Sequence, residues 1–317
     1  MVSNNCFNGM NRDLTYKIKQ CATRLGFFAC GISRAERLEM EGKKLKDWLA
    51  LGFHGELRYL SRNPDNRSDP RHILLNARSV ISVLYNYYPE NPLPVQDNFH
   101  IARYAYGKDY HVLIRQKLND LIGMLKQECG EANAVGFVDA SPVMEKALAQ
   151  RAGLGWTGKN TLLIHPQMGS FFFIGDIITD AELVYDTPLP DGCGSCRKCL
   201  DACPTGALIA PHVLDVRRCI AYLTISFKGD LPEDLRSCFQ DRIYGCDACQ
   251  EACPCNRFAF PHNDPDLLPM PKLKTMNRDR WKNLTEEKFR ELFENSAVKR
   301  TTYARLKRNI DFVGDMT

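Results

Sequence analysis

Cys193-Gly-Ser-Cys196-Arg-Lys-Cys199-Leu-Asp-Ala-Cys203-Pro204 places four thiols in the order C-x2-C-x2-C-x3-C-P. This is the bacterial ferredoxin run: three closely spaced thiolates aim at one 4Fe–4S cluster, and the fourth, carried away on the next helical turn, serves the other. A second run, Cys246-x2-Cys249-x3-Cys253-Pro254, ends the same way but holds Ile243 where a first cysteine would stand. Cys219, between the runs, is the expected donor of the missing ligand. One cluster then takes Cys193, Cys196, Cys199 and Cys253, and the other takes Cys203, Cys219, Cys246 and Cys249, leaving Cys238 and Cys255 over. Zinc fits less well, because its sites pair short spacings from two separate arms. Disulfides fit poorly with an N-terminus, MVSNNCFNGMNRD, that has no basic-then-apolar leader pattern.

The same unevenness shows in the composition. Of 14 cysteines in 317 residues, ten lie between Cys193 and Cys255. Residues 272–317 carry 12 Lys/Arg against 7 Asp/Glu, a net +5 within a chain of net +4. Apolar residues make up 44% and charged residues 25%, which excludes wholesale disorder. The most apolar stretch, Ser170–Thr179, is too short for a bilayer span and contains Asp176. No membrane association is expected, and the chain is expected to be cytoplasmic. Thr187-Pro-Leu-Pro-Asp-Gly192 reads as a linker. It suggests a catalytic domain over 1–190, a ferredoxin-like two-cluster domain over 191–263 and a basic helical end over 264–317.

Before the linker, helical and strand patterns alternate without a strict repeat. Helices are expected over Asp13–Leu25, Tyr110–Glu128 and Pro142–Ala152, and strands over Phe27–Ile32, Val80–Tyr88, Ala134–Val138, Thr161–Ile164 and Phe171–Ile178. The fold class is α+β, a mixed sheet flanked by helices. Gly153-Leu-Gly155-Trp-Thr-Gly158-Lys159 spells a dinucleotide or P-loop pattern, but a helix precedes it and a strand follows, the reverse of what either requires. It is left as a loop that lets backbone approach a ligand closely. Asp139 sits at a strand end, either lining a site or capping the helix at Pro142. Asp109 and His111 match part of a corrinoid-ligating Asp-x-His-x-x-Gly pattern, but Ile114 takes the glycine place. His111 is therefore expected as a structural residue of a first helical turn.

Val138-Asp-Ala-Ser-Pro142, the string Glu145–His165 and the double cysteine run together resemble the epoxyqueuosine reductases over about residues 10–310. The resemblance implies reduction of an epoxide on a modified base at the tRNA wobble position, the last step of queuosine synthesis. It also implies base-off cobalamin and two 4Fe–4S clusters as cofactors, and a fold related to the corrinoid reductive dehalogenases. Asp139 aligns with the proton donor, a role that needs a raised carboxyl pKa. Tyr104, Gly155, Trp156, Lys159, Asn160, Thr161 and Ser170 resemble the corrinoid pocket. The implied partners are tRNA and an external electron donor such as flavodoxin or ferredoxin, with the chain acting as a monomer. Lys299, Arg300, Arg305, Lys307 and Arg308 are expected to attract the RNA backbone. Many family members continue into HEAT-like repeats, whereas this sequence stops at Thr317, so the ferredoxin-like region and the basic end are expected to hold the tRNA. A corrinoid reductase of small molecules and a plain ferredoxin-type carrier are the competing readings. The carrier leaves the first 190 residues unexplained.

Overall fold

The computed structural model describes residues 4–130, 132–139 and 142–314, with side chains from Asn11 onward. Ala140 and Ser141 of the strand-end motif lie outside the described residues. Four strands, Ala29–Arg34, Ser79–Asn86, Phe172–Thr179 and Ala134–Phe137, lie side by side in that order, every neighbouring pair antiparallel. The α+β class holds. The parallel pairing is elsewhere, in a short bridge between His100–Ile101 and Arg242–Tyr244. Every residue of Ser79–Asn86 is buried. That is why the sequence there, with Ser79, Ser82 and Asn86 among apolar residues, shows no period-two alternation. Ile81, Val83, Tyr85, Phe173 and Ile177 face the helices Asn4–Arg24 and Tyr110–Cys129. Residues of opposite parity, Val80, Leu84, Phe172 and Ile178, face the helix Glu145–Arg151. Among the described residues no helix is long and apolar enough to cross a membrane.

The long helix has clear causes at both ends. Asp109 caps it, its Oδ1 accepting the His111 backbone N–H at 3.0 Å, and Gly130 at φ 68° ends it. Ile114, Leu118, Leu121 and Leu125 recur at helical spacing and are fully buried, each contributing about 1.5–3 kcal/mol relative to exposure. The next helix starts later than its sequence suggests: Pro142 and Val143 are bends, and Glu145–Arg151 is the helix. Asp139 is therefore not its cap. Leu163–Ile164, within the expected strand Thr161–Ile164, pairs with Trp156–Thr157, which was expected to be loop, in a two-stranded ribbon. Gly155 belongs to that ribbon, since a Cβ there would lie 2.2 Å from the Ile164 carbonyl oxygen.

A second core joins Phe99, Ile101, Val216, Phe239 and Tyr244 to Trp281, Phe293, Leu306 and Ile310. The C-terminal segment and the cysteine region thus share one interior, and residues 264–314 pack as a wall of it. The two halves of the molecule meet at a buried polar knot. Asn256 Oδ1 accepts the Ser170 backbone N–H at 2.6 Å. Gln250 Nε2 donates to the Ser170 carbonyl at 2.9 Å and to Tyr87 Oη at 3.2 Å. Gly169 is required beside it: its φ is 70°, and a Cβ would sit 1.9 Å from Asn256 Oδ1.

On the sheet, a Cβ at Gly31 would come 2.1 Å from the Ala152 carbonyl oxygen. Gly31→Ala is therefore expected to destabilise the protein by about 1–3 kcal/mol, read as a lower denaturation midpoint with an unchanged m-value.

Candidate active site

The thiols fall into two neighbourhoods. Cys199 is pushed up by burial and faces Cys253 and Cys193. Cys255, raised to about 11 by burial, faces Cys253, Cys193 and Cys196. In the second neighbourhood burial pushes Cys249 up, and the thiols of Cys246, Cys219 and Cys203 add to it. Burial likewise raises Cys219, with Cys203 adding to the shift, and raises Cys246 to about 11, with Cys219 adding. Close anionic sulfurs repel, so such a group suits a bound cationic centre. Cys255 borders the first neighbourhood, and Cys238 lies on the short helix Arg236–Phe239.

Cys203, Cys219, Cys246 and Cys249 line one cavity of about 360 Å³, together with Tyr104, Asn160 and Thr161. A second hollow of about 200 Å³ is lined by Asp139, Glu145, Tyr110 and Ser170. The two share Tyr87, Lys146, Leu162 and Gln250 as walls. The two hollows therefore adjoin across these four side chains, making a two-part chamber with the second thiol neighbourhood on one side and the carboxylates on the other.

Asp139 ends the strand Ala134–Phe137 in a left-handed conformation, φ 56°, which aspartate tolerates better than most residues. Its Oδ2 accepts from Tyr110 Oη at 2.6 Å and lies 3.2 Å from His111 Nε2. His111 Nδ1 lies 2.6 Å from Asp109 Oδ1. Tyr110 stacks on His111 and on Phe173, each at 4.0 Å between ring centroids, which fixes both hydrogen-bonding rings. His111, and then Tyr110, hold the Asp139 carboxyl below its usual range despite the opposing pull of burial. A donor carboxyl was expected to be raised; in this arrangement it is ionised. Two raised carboxyls lie behind it. Burial, with Asp176 and Asp139 nearby, lifts Glu145 to about 8, and burial lifts Asp176 to about 7. Glu145 Oε1 accepts the Asp139 backbone N–H.

The seven residues read as a cofactor pocket divide. Tyr104, Asn160 and Thr161 line the larger cavity and Ser170 the smaller one, where its hydroxyl and backbone are also tied to Gln250 and Asn256. The other three serve the cysteine loop or the ribbon. Trp156 Nε1 donates to Cys193 Sγ at 3.4 Å, and Lys159 Nζ donates to the carbonyls of Gly194 and Cys196 at 2.5 and 2.8 Å. Tyr110, His111, Glu145 and Lys146 were not read as site residues, since nothing in their local spacing points to a strand end far along the chain.

Two close thiol sets, one of them beside an acid–base hollow, define an iron–sulfur oxidoreductase. The profile of "Epoxyqueuosine reductase QueG, DUF1730" matches residues 67–140, and that of "4Fe-4S double cluster binding domain" matches 192–256. An epoxyqueuosine reductase of Leadbetterella byssophila is 47% identical over 305 residues, covering 96% of this chain and 100% of that one. The Escherichia coli epoxyqueuosine reductase is 41% identical over 302 residues, 94% of this chain and 79% of that one. A crystal structure of epoxyqueuosine reductase with an epoxyqueuosine-modified tRNA stem loop superposes with a TM-score of 0.88 at 30% identity, covering 95% of this chain and 80% of that one. This chain belongs to the epoxyqueuosine reductase family.

The basic end differs from the expected phosphate-binding face. Arg308 donates to the carbonyls of Leu223 at 2.9 Å and Phe227 at 3.1 Å, and Arg305 to that of Ile225 at 3.2 Å. Both guanidiniums thereby satisfy the C-terminal end of the helix Ile220–Ile225, a favourable place for cations. Lys307 pairs with Asp311. Lys299 and Arg300 are the exposed members of the run. Arg308→Ala should cost about 1–3 kcal/mol in stability by leaving part-buried carbonyls unpaired, whereas Lys299→Ala should leave the melting temperature unchanged. Thermal denaturation of the two variants checks both.

Proposed function

We propose that this chain reduces epoxyqueuosine to queuosine in tRNA, with Asp139 delivering the proton to the departing epoxide oxygen. The observation that carries the reading is that the hollow at one thiol set and the hollow at Asp139 adjoin and share four wall residues. Converting an epoxide to an alkene and water consumes two electrons and two protons, so electron carriers and an acid must meet at one place. When bound, the clusters would supply single electrons and a corrinoid would supply a low-valent, strongly nucleophilic and reducing metal.

The residues present fit these groups. Cys193, Cys196, Cys199 and Cys253 would hold one cluster, and Cys203, Cys219, Cys246 and Cys249 the other, as the two thiol neighbourhoods support. Tyr104, Asn160 and Thr161 offer neutral hydrogen-bonding groups on the cavity wall, and no histidine is among its described lining residues. That donor set suits a corrinoid without a histidine ligand. Gly155, Trp156 and Lys159 act one step removed, bracing the ribbon and the first cysteine loop.

Tyr110 and His111 orient the Asp139 carboxylate by gripping one oxygen, and Gln250, Tyr87 and Leu162 line the hollow beside it. The substrate is a modified base of tRNA, and Lys299 and Arg300 provide exposed positive charge beside the site. Arg197 and Lys198, exposed within the first cysteine loop, suit docking of an acidic donor such as a flavodoxin or ferredoxin. The chain acts as a monomer in the cytoplasm, where its tRNA substrate is found.

The anaerobically reconstituted enzyme should convert an epoxyqueuosine-bearing stem loop to the queuosine form, followed by mass spectrometry. Asp139→Asn should lower turnover at least about 100-fold with cofactor content unchanged; full turnover would remove Asp139 from the reaction. Cys219→Ser should lose about half of the reconstituted iron, while Cys238→Ser should keep all of it.

A further inference from the structure

We propose that His111 is the proton store behind Asp139, and that Arg300, reaching in from the C-terminal segment, governs which of the two holds the proton. The inference rests on the reading of Asp139 as donor. Its ground is a competition at one atom. His111 Nε2 lies 3.2 Å from Asp139 Oδ2 and 3.1 Å from Arg300 Nη1. That nitrogen can donate to the carboxylate or accept from the guanidinium, but not both.

Two states satisfy the remaining bonds. In the first, His111 is an imidazolium whose Nδ1–H points at Asp109 and whose Nε2–H points at the Asp139 carboxylate. In the second, the proton has crossed to Asp139, Nε2 accepts from Arg300, and Nδ1–H remains on Asp109. No heavy atom needs to move, because Tyr110 stacks against the imidazole and Arg300 Nη2 is anchored on Asp109 Oδ2 at 3.2 Å. The balance is simple: His111 loses one proton and Asp139 gains it. Asp139 then passes it to the departing oxygen, and His111 takes a replacement from solvent. The solvent side is present, since a hollow of about 650 Å³ lined by Asp109, Lys299 and Arg300 adjoins the half-exposed Arg300.

The surrounding charges favour the first state at rest. Burial works against a charged His111, but its bonds to Asp109 and Asp139 prevail and raise it, with Arg300 opposing. The groups facing the pair are Asp109, Tyr110 and Arg300, with Tyr59, Tyr104, Glu145 and the second cation Lys146 on the Asp139 side. His111 acts through Asp139, so it is a positioning residue as well as a store. Arg300 is a cation beside the pair, so it pushes the shared proton out at lower pH than the pair alone would.

The test is the pH dependence of kcat for the reconstituted holoenzyme on an epoxyqueuosine-modified stem loop, between about pH 5 and 9. Turnover needs the pair's proton, so the rate falls as pH rises through their joint titration. His111→Gln leaves a lone carboxyl, and its falling limb should move down by about one pH unit or more, with activity recovering toward acid. Arg300→Gln removes the opposing cation, and its limb should move up. Opposite displacements support the proposal. A uniform loss at every pH, or an unmoved limb in Arg300→Gln, overturns it. Arg300→Gln decides alone if His111→Gln does not fold. Full turnover by Asp139→Asn is the separate result that would overturn the donor reading itself.

Discussion

Everything in the chamber depends on the buried knot of Ser170, Gln250 and Asn256. Ser170 opens the strand Phe172–Thr179 at the heart of the sheet, while Gln250 and Asn256 flank the last cysteines of the second run. Leaving one such buried amide unpaired costs about 1–3 kcal/mol, so the halves can be docked only in the register that satisfies all of them. Apolar contact alone would allow sliding; this set of directional bonds does not. One thiol neighbourhood and the Asp139 hollow share walls because the knot fixes that register.

Within the chamber, environment sorts chemically similar carboxyls into different roles. Asp139 is gripped by two hydrogen-bonding rings and stays ionised, whereas Glu145 and Asp176 lie deeper and are raised. Glu145 holds the Asp139 backbone rather than its side chain. An ionised acid next to a histidine fits a shared proton, because a carboxyl that is ionised at rest must be loaded by a neighbour before it can donate. Arg300 brings the C-terminal segment into that exchange, which links the wall of the second core to the chemistry.

The cysteine pattern was legible because cluster ligation is local: spacings of two and three residues on tight turns dictate which thiols can share a site. Cys219, expected as a ligand from the gap at Ile243, lies beside Cys203 and Cys246. The sheet was legible as strands but not as an antiparallel order, since a fully buried strand carries no alternation from which to read its neighbours. Asp139 was visible as a strand-end residue, while Tyr110, His111 and Arg300 were not, because their contacts join residues 28 to 191 positions apart. The basic end misled for the same reason. Arg305 and Arg308 look like free charge in sequence, and their carbonyl partners lie about 80 positions earlier. In the glycine-rich loop the close backbone approach is visible at Gly155 in the ribbon, and Trp156 and Lys159 brace a cysteine loop, contacts that lie about 10 to 40 positions along the chain.

The most direct measurement of the central claim is the nucleoside content of tRNA from cells lacking this protein, by liquid chromatography and mass spectrometry. Epoxyqueuosine should accumulate and queuosine should be absent, with the pattern reversed when the gene is restored. Normal queuosine in the deletion strain would contradict the account.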